Sequence, residues 1–253
     1  MQKTNVDIYN NEELHYCVSI KGLIFEESCL ISKYIPGKNK ESRIVEAGCG
    51  EGRILFELQK KEFGNLYGFD AAAEPLKFAG KKAEQLNAGI TFSNQNAVSL
   101  DYPDGFFDYA IYLQQIMSFI ENADDRQKAV NECYRILKTG GRGIFSFLWW
   151  KGRAFNPVLA TVNALSRLLL KGDANAFKKF RLLPWLRLGG KINLKWLIKE
   201  QPRTYWFKTD EVVSLFTAPG FKILEISSGS MIKKGKTGKL QKGGGLYVVV
   251  EKV

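Results

Sequence analysis

Cysteine and histidine are scarce in this 253-residue chain, which has four cysteines and a single histidine. Cys17, Cys29, Cys49 and Cys133 are widely separated, with no Cys-x-x-Cys pair and no Cys/His cluster. Neither a disulfide framework nor a zinc site can be read from that spacing, and a reducing compartment fits best. Long apolar runs are also missing. The longest mostly apolar stretch, Val158 to Leu170, is interrupted by Arg167 and is shorter than the ~20 residues of a membrane span. The N-terminus, MQKTNVDIYNNEEL, is polar and partly acidic, so it lacks the basic start and apolar middle of a signal peptide. No internal repeat stands out, and neither proline nor glycine is in excess. With 45% hydrophobic and 25% charged residues, disorder and fibrous structure are excluded and a globular, cytoplasmic protein is expected.

Charge is plentiful but uneven. Of a net charge of +11, the segment from Lys151 to Tyr205 supplies 12 Lys/Arg against 2 Asp/Glu. The remainder of the chain is almost neutral. Trp149, Trp150, Trp185, Trp196 and Trp206, all the tryptophans, lie within or beside the same segment. The sequence reads as a neutral body carrying one basic, aromatic insert.

Along the body, strand and helix alternate. Helical spacing runs from Glu12 to Ile35 and stops at Pro36-Gly37. Strands are expected at Arg43–Ala47, Asn65–Asp70, Ile90–Ser93, Phe107–Leu113 and Gly143–Trp149, the last one following a stop at Thr139-Gly140-Gly141. Helices are expected at Arg53–Lys61, at Glu74–Asn87 with Pro75 in its first position, and at Asp124–Leu137. The strands are apolar throughout rather than alternating, which argues for parallel strands buried between two helix layers. Within the insert, Pro157–Leu170 and Trp185–Glu200 read as helices. Beyond it come a helix at Thr209–Thr217 and two β-rich runs, Phe221–Ser227 and Leu246–Val250, with KKGKTGKLQKGGG between them as a mobile hairpin loop.

Between the first strand and its helix stands VEAGCGEGR, residues 45–53. Glycine is used where a chain turns sharply or a ligand nears the backbone. The loop fails as a G-x-G-x-x-G fingerprint, because Arg53 occupies the third glycine position, and it fails as a P-loop for want of Gly-Lys-Ser/Thr. Asp70 follows 22 residues after Gly48, at the end of the next strand. A carboxylate there can accept from two ribose hydroxyls. VEAGCGEGR, LYGFDAAAEPLKFA, YPDGFFDYAIYL, ECYRILKTGGRGIFSF and YWFKTDEVVSLFTAPGFKILE together resemble, in order, the motifs of the class I S-adenosylmethionine-dependent methyltransferases.

That resemblance implies a Rossmann-like α/β fold: a seven-stranded, mostly parallel sheet with helices on both faces, an antiparallel C-terminal hairpin and a helical cap insertion. It implies three parts. Residues 1–150 would be an N-terminal helix and cofactor-binding core, 151–205 the cap, and 206–253 the last helix and two strands completing the core. The cofactor would be S-adenosylmethionine. The backbone of Gly48, Cys49, Gly50 and Gly52 would pass its methionine moiety, with Glu46 below. Asp70 would hold the ribose, Ala71 would flank the adenine, Asn96 and Ala97 would stand at the adenine amino group, and Leu113 and Gln114 would face the sulfonium. Asn96 reads equally as a turn residue, and Gln114 and Gln115 as polar residues at a strand end.

Methyl transfer needs an in-line nucleophile and a dry site, so a base is optional. No catalytic residue and no metal ligand set is assigned. His15, with Tyr16 beside it, reads first as structural and second as a general base. Leu113-Gln114-Gln115-Ile116-Met117 is not the Asp/Asn-Pro-Pro-aromatic motif of methyltransferases acting on exocyclic base amines. A small apolar or anionic metabolite is the expected acceptor. The alternatives are a transfer RNA or lipid methyltransferase docking through the basic insert, or a non-catalytic cofactor-binding module recruiting RNA or membrane. Clustered charge shows attraction to anions without naming the anion.

Overall fold

The computed structural model describes residues 4–10, 21–184 and 202–253. Its strands are β1 (Arg43–Ala47), β2 (Asn65–Asp70), β3 (Ile90–Asn94), β4 (Phe107–Tyr112), β5 (Leu137–Phe147), β6 (Leu182–Pro184), β7 (Arg203–Tyr205), β8 (Phe221–Ser228) and β9 (Leu246–Lys252). Its helices are α1 (Asn5–Tyr9), α2 (Phe25–Tyr34), α3 (Arg53–Lys60), α4 (Ala73–Gln85), α5 (Ile116–Phe119), α6 (Ala123–Ile136), α7 (Asn156–Lys171), α8 (Thr209–Thr217) and α9 (Gly229–Lys233).

Seven strands form one sheet in the order β3-β2-β1-β4-β5-β9-β8. The first five are parallel, and β9 runs antiparallel between β5 and β8. Strands this apolar must be covered on both faces, and they are. On one face Val45, Phe145 and Phe147 pack against Val130 and Ile136 of α6 and Val212 and Phe216 of α8. On the other, Ile44, Ile111 and Ile144 meet Leu30 and Ile31 of α2 and Ile54, Leu55 and Leu58 of α3. The chain winds outward from β1 to β3 and then returns to β4 on the other side of β1. Such a reversal opens a crevice at the carboxyl ends of the two central strands, β1 and β4.

Several boundaries differ from the sequence reading, each for a local reason. Of the helix expected over Glu12–Ile35, residues 11–20 lie outside the description; the described part starts at Phe25, because Gly22 takes a left-handed turn (φ 71°) and the Ile24 N–H donates to Glu27 at 3.0 Å. α4 starts at Ala73 rather than Glu74, since the Asn10 side-chain carbonyl accepts from the N–H groups of Ala73 (2.9 Å) and Glu74 (3.3 Å). Pro75 therefore sits in the third position, where an N–H still has no helical partner. β5 begins at Leu137 and runs through the glycines as a bulge. Phe107 pairs with Leu137 and Tyr109 with Arg142.

Between β5 and α8 the chain leaves the sheet and comes back to the same place. Trp149 bridges Phe207, with Trp150 N–H donating to the Phe207 carbonyl and Phe207 N–H to the Leu148 carbonyl, both at 2.8 Å. β6 and β7 form a short antiparallel ribbon that the sequence did not announce. Trp149 and Trp206 are buried, so these two serve packing rather than docking. The helix expected at Trp185–Glu200 falls outside the described residues. Among the described residues, no helix is long and apolar enough to cross a membrane.

Phe216 is fully buried and meets Phe145, Phe147 and Phe221 at ring-centroid distances of 4.6, 6.0 and 5.9 Å. Phe216→Ala is expected to cost about 3–5 kcal/mol of stability, lowering the melting temperature by roughly 10 °C in thermal unfolding.

Candidate active site

At the crevice the glycine loop bends back on β2. Gly48, Gly50 and Gly52 all take left-handed φ, at 60°, 52° and 76°. A Cβ on Gly48 would come within 2.3 Å of the Ile116 side chain, whereas one on Gly50 would meet no atom within 4 Å. The loop is thus pressed against α5 at one point and open at another. Asp70 fixes its shape: one carboxylate oxygen accepts the Gly50 N–H and the other the Ala72 N–H, both at 2.9 Å. Each oxygen keeps a lone pair for a further donor. Burial pushes the Asp70 carboxyl upward against these backbone hydrogen bonds.

Glu46 lies beneath the loop on β1. Its side chain is buried, and Oε2 has no hydrogen-bond partner. Burial drives its carboxyl well above the usual range, the guanidinium of Arg53 opposing that only in part. A buried acceptor without a partner is costly unless a donor arrives.

A second carboxylate organises the rim. Glu27, in the first turn of α2, is almost wholly buried (1% side-chain exposure). It takes both terminal nitrogens of Arg53 at 2.8 Å, the Ile24 N–H at 3.0 Å and the Gln114 amide. Arg53 also donates to the Gly22 carbonyl at 2.6 Å. Gln114 and Gln115 both hold left-handed backbone, φ 57° and 60°, a conformation that costs about 1–3 kcal/mol per non-glycine residue. The Gln114–Glu27 bond and a 2.8 Å bond from Gln115 N–H to Ser146 Oγ hold the end of β4 there. Glu46 and Asp70 thus leave acceptor capacity at the carboxyl ends of β1 and β2, suited to a cation that also carries hydroxyls.

A family model described as a methyltransferase domain matches residues 44–141. A ubiquinone biosynthesis O-methyltransferase of Klebsiella pneumoniae is 30% identical over 154 residues, 57% of this chain and 59% of that protein. A ubiquinone/menaquinone biosynthesis C-methyltransferase of Rickettsia akari is 37% identical over 113 residues, 42% of this chain and 44% of the relative. The chain therefore spans less than two thirds of these relatives. A solved S-adenosylmethionine-dependent methyltransferase of Methanosarcina mazei shares the fold, with a TM-score of 0.63 at 20% identity, covering 88% of this chain and 97% of that one. Over residues 44–141 the chain thus resembles a methyltransferase domain, within a fold that a solved S-adenosylmethionine-dependent methyltransferase shares.

The residues present fit S-adenosylmethionine, the cofactor that the resemblance implies. The partnerless oxygen of Glu46 suits an ammonium, the space over Gly50 leaves room for a ligand, and the spare lone pairs of Asp70 suit ribose hydroxyls. Ala71 follows Asp70 directly, and Asn94 clamps both carbonyls, at 2.8 Å to Asp70 and 3.1 Å to Ala71. Two expectations, for Leu113 and Asn96, need adjustment. Leu113 buries its side chain in the core and leaves only its backbone at the strand end. Cys49 is likewise buried, with its thiol pushed well upward by burial, which leaves its main chain to the loop. Asn96 is exposed, and its side-chain carbonyl accepts the Val98 N–H at 3.2 Å, the turn role noted as its other reading; Ala97 beside it is buried. His15 and Tyr16 fall outside the described residues.

Glu27, Arg53 and Asn94 were missed in the sequence. Arg53 stood inside the quoted motif, but nothing in the spacing ties it to a glutamate 26 residues earlier.

Two outcomes follow from these carboxylates. Arg53→Ala strands a buried Glu27 and is expected to destabilise the protein by about 3–5 kcal/mol, read as a lower melting temperature. Glu46 holds its proton more tightly folded than unfolded. Ligand-free stability therefore falls as pH climbs from the ordinary carboxylate value through the raised one. An ammonium at Glu46 favours the ionised form, so S-adenosylhomocysteine should bind more tightly as pH rises through the same window and release protons on binding. Calorimetry in two buffers of different ionisation enthalpy checks this, and Glu46→Gln should abolish the proton release.

Proposed function

We propose that this chain transfers a methyl group from S-adenosylmethionine to a small apolar or anionic metabolite. The observation that carries the reading is the buried carboxylate of Glu46, one of whose oxygens has no hydrogen-bond partner among the described residues, beside the open glycine loop that Asp70 braces. The family match and the names of the relatives support it. Both are named for quinone biosynthesis, one as an O- and the other as a C-methyltransferase.

When bound, the cofactor supplies an electrophilic methyl carbon. The chain's own residues would hold and orient it: Glu46 at the ammonium, Asp70 at the ribose, and the main chain of Gly48, Cys49, Gly50 and Gly52 along the methionine part. Ala71, Asn96 and Ala97 would stand toward the adenine. The strained turn at Gln114 and Gln115 would face the acceptor and fix its approach. Positioning and water exclusion account for much of the acceleration in such a transfer, and no general base is assigned.

We further propose that residues 151–205 form a cap over the acceptor side of a core made by 1–150 and 206–253. Supporting this, a cleft of about 490 Å³ lies between the insert and the start of α6, lined by Arg126, Lys178, Lys179, Arg181, Phe180 and Tyr205 among others. That volume suits a small molecule. Arg181 is paired with Glu211. Among the described residues, Arg126, Lys178 and Lys179 have no carboxylate partner. Arg126 instead donates to the carbonyls of Ile120 (2.8 Å) and Glu121 (2.9 Å) and lies 3.8 Å over the Tyr205 ring. Cations so placed would select an acceptor with an acidic substituent.

The test is transfer of labelled methyl from S-adenosylmethionine to a panel of phenolic and quinol-type acceptors, with and without a carboxylate. Turnover is expected, strongest with the carboxylate-bearing members. Lys178→Ala/Lys179→Ala should raise KM for those by roughly tenfold while leaving kcat unchanged. No label transfer to any acceptor, in protein that binds the cofactor, would overturn the reading.

A further inference from the structure

α7 is built inside out. In an ordinary surface helix the apolar stripe faces the core, as in α6, where Ala129, Val130, Cys133 and Ile136 are buried. In α7 the buried positions are Asn156, Ala160, Ala164 and Arg167, spaced four, four and three residues apart along one face. Asn156 donates to the Trp150 carbonyl at 3.0 Å, and Arg167 pairs with Asp173. The branched side chains point outward: Val158, Val162, Leu165, Leu169 and Leu170 are 65%, 56%, 42%, 77% and 82% exposed. Phe155, just before the helix, and Phe177, just after it, are exposed too. Val158, Val162, Leu165 and Leu169 repeat at helical spacing, so they form one stripe on the solvent side. A contiguous apolar surface of this kind marks an interaction site.

Its surroundings indicate what covers it. From Lys151 to Pro184 the chain carries seven Lys/Arg and one Asp; Arg167 is spent on Asp173 and Arg181 on Glu211, which leaves the exposed Lys151, Lys178 and Lys179 on either side of the helix in sequence. α7 itself bears no acidic residue. A second copy meeting this face about a two-fold axis would bring one positive segment onto its own image, which is unfavourable. A surface that is negative outside and apolar just beneath satisfies both features at once.

We propose that α7 lies in the interface of an anionic lipid bilayer, its outward stripe reaching the acyl boundary and the lysines and arginines around it meeting the headgroup phosphates. The helix lies on the membrane and does not span it. This inference is independent of the methyl-transfer reading, and its test needs no turnover.

The full chain is floated with vesicles of phosphatidylcholine alone and of phosphatidylcholine containing phosphatidylglycerol. It should rise with the anionic vesicles only, and about 0.5 M salt should weaken the association. Val162→Glu/Leu169→Glu, both at exposed positions, should cut vesicle affinity at least ~tenfold, with the melting temperature and S-adenosylhomocysteine affinity kept. Failure to float with anionic vesicles, or flotation that the double variant retains, overturns the proposal. A dimer in light scattering that the variant splits gives the face to a second copy instead. A melting temperature lowered by several degrees in the variant, without vesicle binding by the parent, gives it to another part of this chain. Either of these results also overturns it.

Discussion

The crevice depends on one buried ion pair. Glu27 is a carboxylate withdrawn from water, and it is tolerated because Arg53, the Ile24 N–H and the Gln114 amide surround it with donors. Those donors come from three places far apart in sequence: the lead-in to α2, the first residue of α3, and the end of β4. A buried carboxylate is strict about where its donors stand, since each one lost leaves charge unsolvated. The pair therefore fixes the first helix after the glycine loop, the helix that overlies it and the strained turn beside it as one rigid rim.

Inside that rim the electrostatics are deliberately unfinished. Glu46 is buried with an oxygen that nothing among the described residues satisfies, while Asp70 is braced by two backbone donors and keeps capacity to spare. A fold optimised only for stability would not leave a carboxylate in Glu46's state. Its cost is consistent with a cation arriving to complete it, and the left-handed Gln114 and Gln115 are a second local cost at the same end of the sheet. Both lie where the strand order reverses, the one place on the sheet where loops from both halves diverge and leave room.

The sheet was legible because strands this apolar leave few options. The Thr209–Thr217 helix was read to the residue, and the first four strands to within one residue, because turns and polar breaks bound them tightly. The reading failed where a long-range partner decides the local structure. Gly22 ends a helical pattern because Arg53 and Glu27 claim the neighbouring backbone. Asn10 moves the start of α4, and the bulge at Lys138–Gly141 lets a strand run through glycines that look like a stop. The positions of Asp70 and the glycines could be read from spacing, whereas the side chain of Leu113 could not, since spacing does not tell a side chain aimed at a crevice from one turned into the core. Glu27 was invisible for the same reason as Gly22: its meaning rests on contacts across the fold. The inverted face of α7 was hidden because an apolar period reports that a helix has two faces, not which one meets the core.

The account stands on Glu46 and Asp70 forming a cofactor cradle, and the most direct test is calorimetric titration of the full chain with S-adenosylmethionine and S-adenosylhomocysteine, beside Asp70→Asn and Asp70→Ala. Micromolar binding by the parent, with affinity reduced by roughly a hundredfold in Asp70→Ala (about 2.7 kcal/mol) and less in Asp70→Asn, is the predicted result. Absence of binding at millimolar ligand, or equal affinity in all three proteins, would contradict it.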